Sequence, residues 1–204
     1  MIHERHTASA AIVALVMHGL ACLSPAAPGP TTRVVETPEM GLRAYNYYMR
    51  KVDQAGMMSR VYAPTAGLEE LARSFTHSDG QVATAVHAAQ KKFGGDAGRQ
   101  VGRAFNDVAD EDMVGGRAEF DATGALVTFI TPAGGTVPLC VDAGVWKLDA
   151  RALVQTDDER VAASQIEVHA RNAAFAGAVA AGIDSGDIPT LDDAVQRITN
   201  RRQN

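Results

Sequence analysis

The chain has few of the residues on which several protein classes depend. Among 204 residues there are two cysteines, one tryptophan and 5% aromatic residues, and the 19 basic residues do not outnumber the 24 acidic ones. A net charge of -5 leaves no surplus of positive charge to neutralise phosphates, so we expect no nucleic-acid partner. The hydrophobic fraction of 46% is still sufficient for one folded domain of ordinary size and excludes disorder of the whole chain.

The short motifs that identify common enzyme classes are also missing. The sequence contains no Gly-x-x-x-x-Gly-Lys phosphate loop, no Gly-x-Gly-x-x-Gly, no His-Glu-x-x-His, no Cys-x-x-Cys and no Gly-x-Ser-x-Gly. Nucleotide-binding, zinc-peptidase and serine-hydrolase functions therefore lose support.

The first thirty residues follow the three-part plan of a secretory signal. A polar start precedes an apolar run from Ala10 to Met17, and residues 24–30 consist only of Ser, Pro, Ala and Gly. The run is shorter than the roughly 20 residues of a membrane-spanning helix, and we expect no transmembrane helix in the mature chain. We predict that residues 1–30 are a signal peptide and linker, and that the protein is exported to become periplasmic, secreted or lipid-anchored. The alternative is a buried N-terminal helix.

The two cysteines have different predicted fates. Gly19-Leu20-Ala21-Cys22 resembles the bacterial lipoprotein box, although Gly19 stands where the box prefers Leu. Cys22 is therefore a candidate lipid-attachment site. Its alternatives are removal with the signal and a disulfide with Cys140. Cys140 lies between two aliphatic residues and is predicted to be a small buried apolar residue and not a nucleophile.

Apolar residues recur at helical spacing in two parts of the chain. In the first part the pattern predicts a helix from Pro38 to about residue 60, a break at residues 63–65 and a short helix around residues 68–75. It then predicts a third helix, which Ser78-Asp79-Gly80 caps and Gly94-Gly95 ends, and a fourth helical segment through Val108. In the second part it predicts an Ala-rich helix to Gly182 and a helical turn-and-a-half that Thr190 caps. The small residues of the Ala-rich helix permit close approach either to its own domain or to a partner.

The pattern between these two parts is typical of strands. Residues 117–120, 125–131, 136–141 and 145–149 are separated by Gly-containing turns, which predicts about four antiparallel strands. The sequence therefore predicts an α+β domain over residues 38–153, with N-terminal helices packed on a curved antiparallel β-meander. A C-terminal helical extension over residues 155–204 follows.

The closing strands resemble those of a known superfamily. The run from Gly124 through Gly134-Gly135 and Pro138-Leu139-Cys140-Val141 to Asp142-Ala143-Gly144-Val145-Trp146-Lys147-Leu148-Asp149 resembles the closing strands of nuclear-transport-factor-2-like proteins, the cystatin-like or ketosteroid-isomerase-like cone. The resemblance covers about residues 38–150. It implies a conical half-barrel wrapped by the first long helix, with a pocket that some members use for catalysis and many do not.

A pocket of the isomerase type would need a carboxylate base and a hydroxyl donor aimed at one substrate oxygen. The candidates of these types on the first helix and the sheet are Tyr45, Tyr47, Tyr48, Asp53, Asp142 and Trp146. Tyr48 and Asp53 are the candidate catalytic residues. The favoured alternative is that the rings fill the core while the hydroxyl groups find local polar partners.

Metal-binding patterns are incomplete. His77, His87 and His169 have no second histidine three or four residues away. The segment from Asp110 to Asp121 matches part of the spacing of a calcium loop, but lacks the expected ligands at its fifth and twelfth positions. We expect no metal and no cofactor.

These observations lead to one functional expectation and one alternative. We expect an exported, non-enzymatic domain that binds a small apolar ligand or a protein at the cell envelope. The alternative is a small pocket enzyme of the isomerase or dehydratase type.

Overall fold

The first helix forms where the sequence supplies both a cap and an apolar face. In this computed structural model, which describes residues 36–105, 116–131, 134–153 and 159–203, helix α1 spans Pro38–Arg50. The Thr37 hydroxyl accepts a hydrogen bond from the Met40 N–H at 3.2 Å. Pro38 lies in the first turn, where the helix requires no N–H from it. The buried face of α1 carries Leu42, Tyr45 and Met49.

The prediction of a single helix to residue 60 is wrong, because the chain turns at Val52. Helix α2, Gln54–Ser59, follows as a separate element. The N–H groups of Val52 and Asp53 donate to the carbonyl oxygens of Met49 and Tyr48, each at 2.9 Å, which ends α1 in the manner of a Schellman motif. Val52 has φ +54°, a conformation in which glycine is usual. No glycine stands at this position to signal the break.

The next helix is longer than predicted. Helix α3 runs without interruption over Ala66–Phe93, so the prediction of two helices separated by a cap at residues 78–80 is wrong. The Asp79 carboxylate lies within this continuous helix and accepts a hydrogen bond from the Tyr45 hydroxyl of α1. The predicted break at residues 63–65 and the predicted stop at Gly94 are both confirmed, with Thr65 as the N-cap.

The predicted meander of four antiparallel strands is confirmed. Its strands are β2 (Arg117–Phe120), β3 (Leu126–Ile130), β4 (Thr136–Asp142) and β5 (Val145–Asp149). A short strand that the sequence did not predict, β1 (Val61–Tyr62), pairs in parallel with β5 through Val61 opposite Leu148. The sheet is therefore mixed, with strand order β1-β5-β4-β3-β2.

The remaining helices are α4 (Ala97–Phe105), α5 (Ala150–Leu153), α6 (Glu159–Ser185) and α7 (Leu191–Gln203). Three of them follow the predicted order, and the short helix α5 was not predicted. Thr190 caps α7 as predicted, with its hydroxyl accepting from the Asp193 N–H at 3.1 Å, but α7 is longer than the predicted turn-and-a-half. Val108 lies outside the described residues.

Buried apolar side chains form three groups. The helical core lies among α3, α4, α6 and α7 and contains Ala85, Ala88, Ala89, Ala97, Val101, Val179, Ala180, Ile183, Ile188, Ala194 and Ile198. The sheet core lies between α1 and the sheet and contains Leu42, Val127, Phe129, Leu139 and Trp146. The junction core joins α1, α2, β1, α3 and α5 and contains Tyr45, Met49, Met57, Val61, Ala72, Phe75, Ala83 and Ala150.

The Ala-rich helix α6 packs on its own domain with part of its surface. Ala173, Ala176 and Ala180 are buried, and Gly177 approaches the Gln81 side chain of α3. A second line of small residues, at positions 170, 174 and 178, is exposed. The described part of the chain forms one compact unit that includes α6 and α7.

Candidate functional site

The structure brings Tyr48 and Asp53, the two candidate catalytic residues, together against Gly56. The Asp53 side chain is exposed, and its Oδ1 accepts a hydrogen bond from the Gly56 N–H at 2.9 Å, so it caps α2. The half-buried Tyr48 ring lies against Gly56 and makes an edge contact with Tyr47, with ring centroids 5.5 Å apart. In this arrangement Asp53 acts as the N-cap of α2.

A different hydroxyl and carboxylate are brought together where α1 meets α3. The hydroxyl of buried Tyr45 donates to Oδ2 of half-buried Asp79 at 2.5 Å. Sequence analysis included Tyr45 among the aromatic candidates but assigned Asp79 to a helix cap. No sequence spacing indicates this contact, because the two residues lie on different helices and meet only in the folded chain.

The two candidates on the sheet point to opposite faces. Trp146 is the register partner of Val141, whereas Asp142 is the register partner of Val145, and successive residues of a strand alternate between faces. Trp146 belongs to the sheet core under α1. Asp142 accepts a hydrogen bond from the Lys147 ammonium at 2.7 Å on the other face. The fold therefore does not combine Asp142 and Trp146 into one site.

A polar group that sequence analysis missed lies on the face that carries Asp142. The buried Asp149 carboxylate accepts hydrogen bonds from Arg151 Nε and Nη2 at 2.9 and 2.6 Å, and the Arg151 guanidinium lies 4.9 Å from the centre of the Tyr62 ring. The hydrogen bonds to Asp149 raise the pKa of Arg151. Burial raises the pKa of the neighbouring Cys140 thiol to about 11, so this thiol stays protonated at neutral pH. The prediction that Cys140 is a buried apolar residue is confirmed.

Exposed apolar side chains lie at one end of the sheet face that α1 covers. Phe120 of β2 is 55% exposed and Val141 of β4 is 42% exposed, although both are large and apolar. The Phe120 ring meets the Trp146 ring of β5 edge-on, with centroids 6.0 Å apart, and Val141 lies beside Trp146 in the sheet register. We call Phe120, Val141 and Trp146 the aromatic end of the sheet.

Glu36, the first described residue, is hydrogen-bonded to Trp146 of the aromatic end. Its carboxylate accepts from the Trp146 backbone N–H at 2.9 Å, and its carbonyl oxygen accepts from the Trp146 indole N–H at 3.1 Å. Arg60 Nη1 donates to the other carboxylate oxygen at 2.6 Å. The indole donor, which would be costly to bury unpaired, is thereby satisfied. Glu36, Arg60 and both N–H groups of Trp146 therefore have partners within the protein, and the exposed side chains of Phe120 and Val141 beside them are apolar.

The helix and strand contact at this end is unusually close. A Cβ on Gly41 of α1 would lie 2.5 Å from Trp146 Cβ and 2.7 Å from its carbonyl oxygen. Only glycine permits α1 to approach β5 this closely. The residue before Gly41, Met40, is 42% exposed.

The described ranges contain no group of three or more His, Cys, Asp or Glu side chains that could hold a metal ion. His77 and His87 are exposed, and burial lowers the pKa of His169. Asp121, the twelfth position of the incomplete calcium loop, instead closes the β2–β3 turn by accepting from the Thr123 hydroxyl and the Leu126 N–H. Residues 110–115 of that loop and Cys22 lie outside the described residues.

Comparisons with known proteins return no match. The chain matches no protein-family model, no curated protein and no solved structure. None of the helices over the described ranges has both the length and the apolarity to cross a membrane.

Proposed function

We propose that this chain is an exported domain that binds a small apolar ligand or an envelope protein, and that binding takes place at the aromatic end. The observation that carries this proposal is the exposure of Phe120 and Val141 beside Trp146. Exposed apolar side chains are ordinary when scattered, but a contiguous group with an aromatic pair is typical of a binding surface.

A cone-like shape is part of the same proposal. Strands β2 and β5 are three positions apart in the sheet, a span of roughly 14 Å if the sheet were flat. The Phe120 and Trp146 rings nevertheless meet at 6.0 Å on the face that α1 covers. A sheet that curls toward α1 brings these rings together readily, which supports the resemblance to the nuclear-transport-factor-2-like cone over residues 38–150.

The titratable candidates support binding over catalysis. Asp53 caps α2, Asp149 pairs with Arg151, and Asp142 pairs with Lys147. Each of these carboxylates has a structural partner, and Phe120, Val141 and Trp146 themselves carry no ionisable group. The proposal therefore assigns this site recognition of apolar groups.

The single tryptophan gives a direct test. Titration of the purified chain with a soluble apolar probe such as anilinonaphthalene sulfonate should change the Trp146 emission in a saturable way. Phe120→Ser should weaken this binding about tenfold or more, since it removes a ring worth at least ~1.4 kcal/mol of contact. Tyr47→Ser is the matched control, because Tyr47 is equally exposed at 58% but lies toward the other end of α1. Equal loss in both variants would overturn the assignment of the site.

Export is tested on the protein recovered from its native cell envelope. Intact mass and N-terminal sequencing should show a start at a lipid-modified Cys22 or an unmodified start near Ala27. A chain that retains Met1 would overturn the export proposal.

The alternative, a small isomerase- or dehydratase-type enzyme, gains one observation from the structure. Tyr45 and Asp79 place a phenol hydroxyl on a carboxylate at 2.5 Å in a partly buried contact. An enzyme of this kind would exchange the α-protons of small cyclic ketones with D2O, which NMR detects. Exchange by the natural chain that disappears in Asp79→Asn, with the fold retained, would establish this alternative against the binding proposal.

A further inference from the structure

The two edges of the sheet differ in what covers them. At one edge β1 pairs with β5, whereas no strand within the described ranges pairs with the outer side of β2. The side chains of Arg117 and Glu119 on β2 are 72% and 58% exposed. An edge strand of this kind presents N–H and C=O groups to which another strand can bond.

The hydrogen bonds at the β2–β3 turn show which backbone groups point outward. The Asp121 N–H donates to the Leu126 carbonyl oxygen at 3.0 Å, so residue 121 faces β3. Because backbone groups alternate in direction along a strand, the odd-numbered residues of β2 also face β3. The N–H and C=O groups of Gly116, Ala118 and Phe120 therefore point to the outer side of the sheet.

The charges on β2 determine which strand this edge can accept. Arg117 and Glu119 lie on the same face of the sheet and form an exposed ion pair at 3.2 Å. An edge strand with charges of one sign repels a second copy of itself, which protects many sheets against pairing. β2 instead carries one charge of each sign two residues apart, so opposite charges can face each other when two copies pair.

We propose that two copies of this chain pair antiparallel through β2, with the two Ala118 residues opposite each other. In this register Arg117 of each copy lies opposite Glu119 of the other, in a pair without direct backbone bonds, where side chains approach most closely. The outward groups of Ala118 bond to their counterparts, and those of Gly116 bond to those of Phe120. The two five-stranded sheets become one continuous sheet.

The charge pattern selects this register over its neighbours. Moving the twofold axis by one residue places either Arg117 opposite Arg117 or Glu119 opposite Glu119, and like charges directly opposite each other are destabilising. The inference goes beyond the proposed binding function, because it concerns a second copy of the chain and not a ligand. Its test measures assembly, whereas the proposed function is measured by probe binding, so either can fail alone.

Association is measured by sedimentation equilibrium of the full chain over a range of concentrations. We expect a reversible equilibrium between monomer and dimer, and a weak one because β2 has only four residues. A chain that stays monomeric up to about 0.5 mM would overturn the proposal, since weaker association does not define a specific interface.

Amide hydrogen exchange locates the surface without any variant. As the dimer forms with rising concentration, exchange at the outward N–H groups of Ala118 and Phe120 should slow about threefold or more, while the Asp121 N–H, already bonded to β3, should change little. A dimer with unchanged exchange at both outward groups would overturn the proposal. Protection that is independent of concentration would also overturn it, because another segment of the same chain would then cover this edge.

Charge variants test the register. Glu119→Arg places arginines opposite each other and should weaken dimerisation about tenfold or more. Arg117→Glu combined with Glu119→Arg exchanges the two charges, restores the opposite pairing and should recover most of the affinity. Glu69→Arg is the matched control, because it breaks a similarly exposed ion pair with Arg73 on α3 and should leave dimerisation unchanged. The proposal is wrong if the exchanged variant does not recover, or if Glu69→Arg weakens the dimer as much as Glu119→Arg.

Discussion

The helical core and the sheet core are built from side chains of different size. In the helical core, alanine dominates where α3 faces α6, with Ala85 and Ala89 completely buried. In the sheet core, Leu42 of α1 packs with Phe129, Leu139 and Trp146 of the sheet. Large side chains such as Ile183 and Ile198 are buried in the helical core as well, but six of its eleven buried residues are alanine, whereas the sheet core has no buried alanine.

This difference reflects how closely the elements can approach. Two helices lined with Ala and Gly lie close together and make many small contacts over a long interface, whereas a helix on a twisted sheet leaves a wider space that only large side chains fill. We therefore expect the two cores to be destabilised by opposite changes in side-chain volume. Loss of volume should damage the sheet core most, and gain of volume should damage the helical core most.

The largest effect is expected from truncation in the sheet core. Leu139→Ala removes a side chain that is 1% exposed and leaves a cavity under α1, which should lower the free energy of unfolding by about 2–5 kcal/mol. Urea titration followed by Trp146 emission measures the change. Leu126→Ala, at a position 41% exposed, is the control and should stay within about 0.5 kcal/mol of the natural chain.

The converse change should damage the helical core. Ala89→Leu inserts three carbon atoms at a position with no exposed surface and should cost about 1–3 kcal/mol. Ala178→Leu places the same side chain on the exposed line of α6 and should have little effect in the same urea titration. If Ala89→Leu is tolerated as well as Ala178→Leu, the helical core is not closely packed and the comparison fails.

A smaller change of opposite sign is expected at the turn after α1. Val52 adopts φ +54°, which costs a β-branched residue conformational strain that glycine avoids. Val52→Gly should therefore raise the free energy of unfolding by about 0.5–1 kcal/mol, even though glycine adds entropy to the unfolded chain. Ala143 in the β4–β5 turn also has a positive φ, +51°, and Ala143→Asn is the corresponding substitution there. A lower unfolding midpoint for Val52→Gly would show that the Val52 side chain contributes more than its strain costs.

Alkaline pH should weaken the sheet side of the molecule. Burial raises the pKa of Cys140 from 9.0 to about 11, so between these values the unfolded chain releases a proton that the folded chain keeps. The stabilisation is complete below pH 9 and declines as the pH rises toward 11. Urea titrations across this range should show a steeper loss for the natural chain than for Cys140→Ala, and parallel curves would contradict the prediction.

Acidic pH should weaken the helical side, with the smallest effect. Burial lowers the pKa of His169, whose ring lies 6.1 Å from that of Phe75. The unfolded chain therefore takes up a proton first as the pH falls below about 6.5, and the stability contributed by neutral His169 is lost in that direction. Thermal unfolding of His169→Gln should depend less on pH over this range than that of the natural chain. An equal dependence would assign the acid sensitivity to other groups.

Local patterns predicted much of the fold. The sequence predicts the four strands β2 to β5 because their β-branched residues stand between glycine turns, and it predicts the cap at Thr190 because this hydroxyl precedes a helical pattern. The errors arose where a distant contact decided the outcome. Asp79 prefers a cap in isolation, but Tyr45 engages its carboxylate and α3 continues.

The site was predicted less well for the same reason. Trp146 was recognised as an anchor of the last strand, but its neighbours Phe120 and Glu36 come from distant parts of the sequence. Val52 gave no signal because a β-branched residue is not expected where glycine normally ends a helix. Tyr48 and Asp53 were chosen by residue type alone, and residue type does not show that Asp53 caps α2.

The parallel pairing of β1 with β5 also constrains the order of folding. Val61 reaches its partner Leu148 only after the whole of α3, α4 and the meander has been synthesised. Long-range contacts of this kind slow folding, because the entropy of closing the intervening loop is lost before the contact is gained. The edge of β5 therefore stays open to other chains until the N-terminal part returns to cover it.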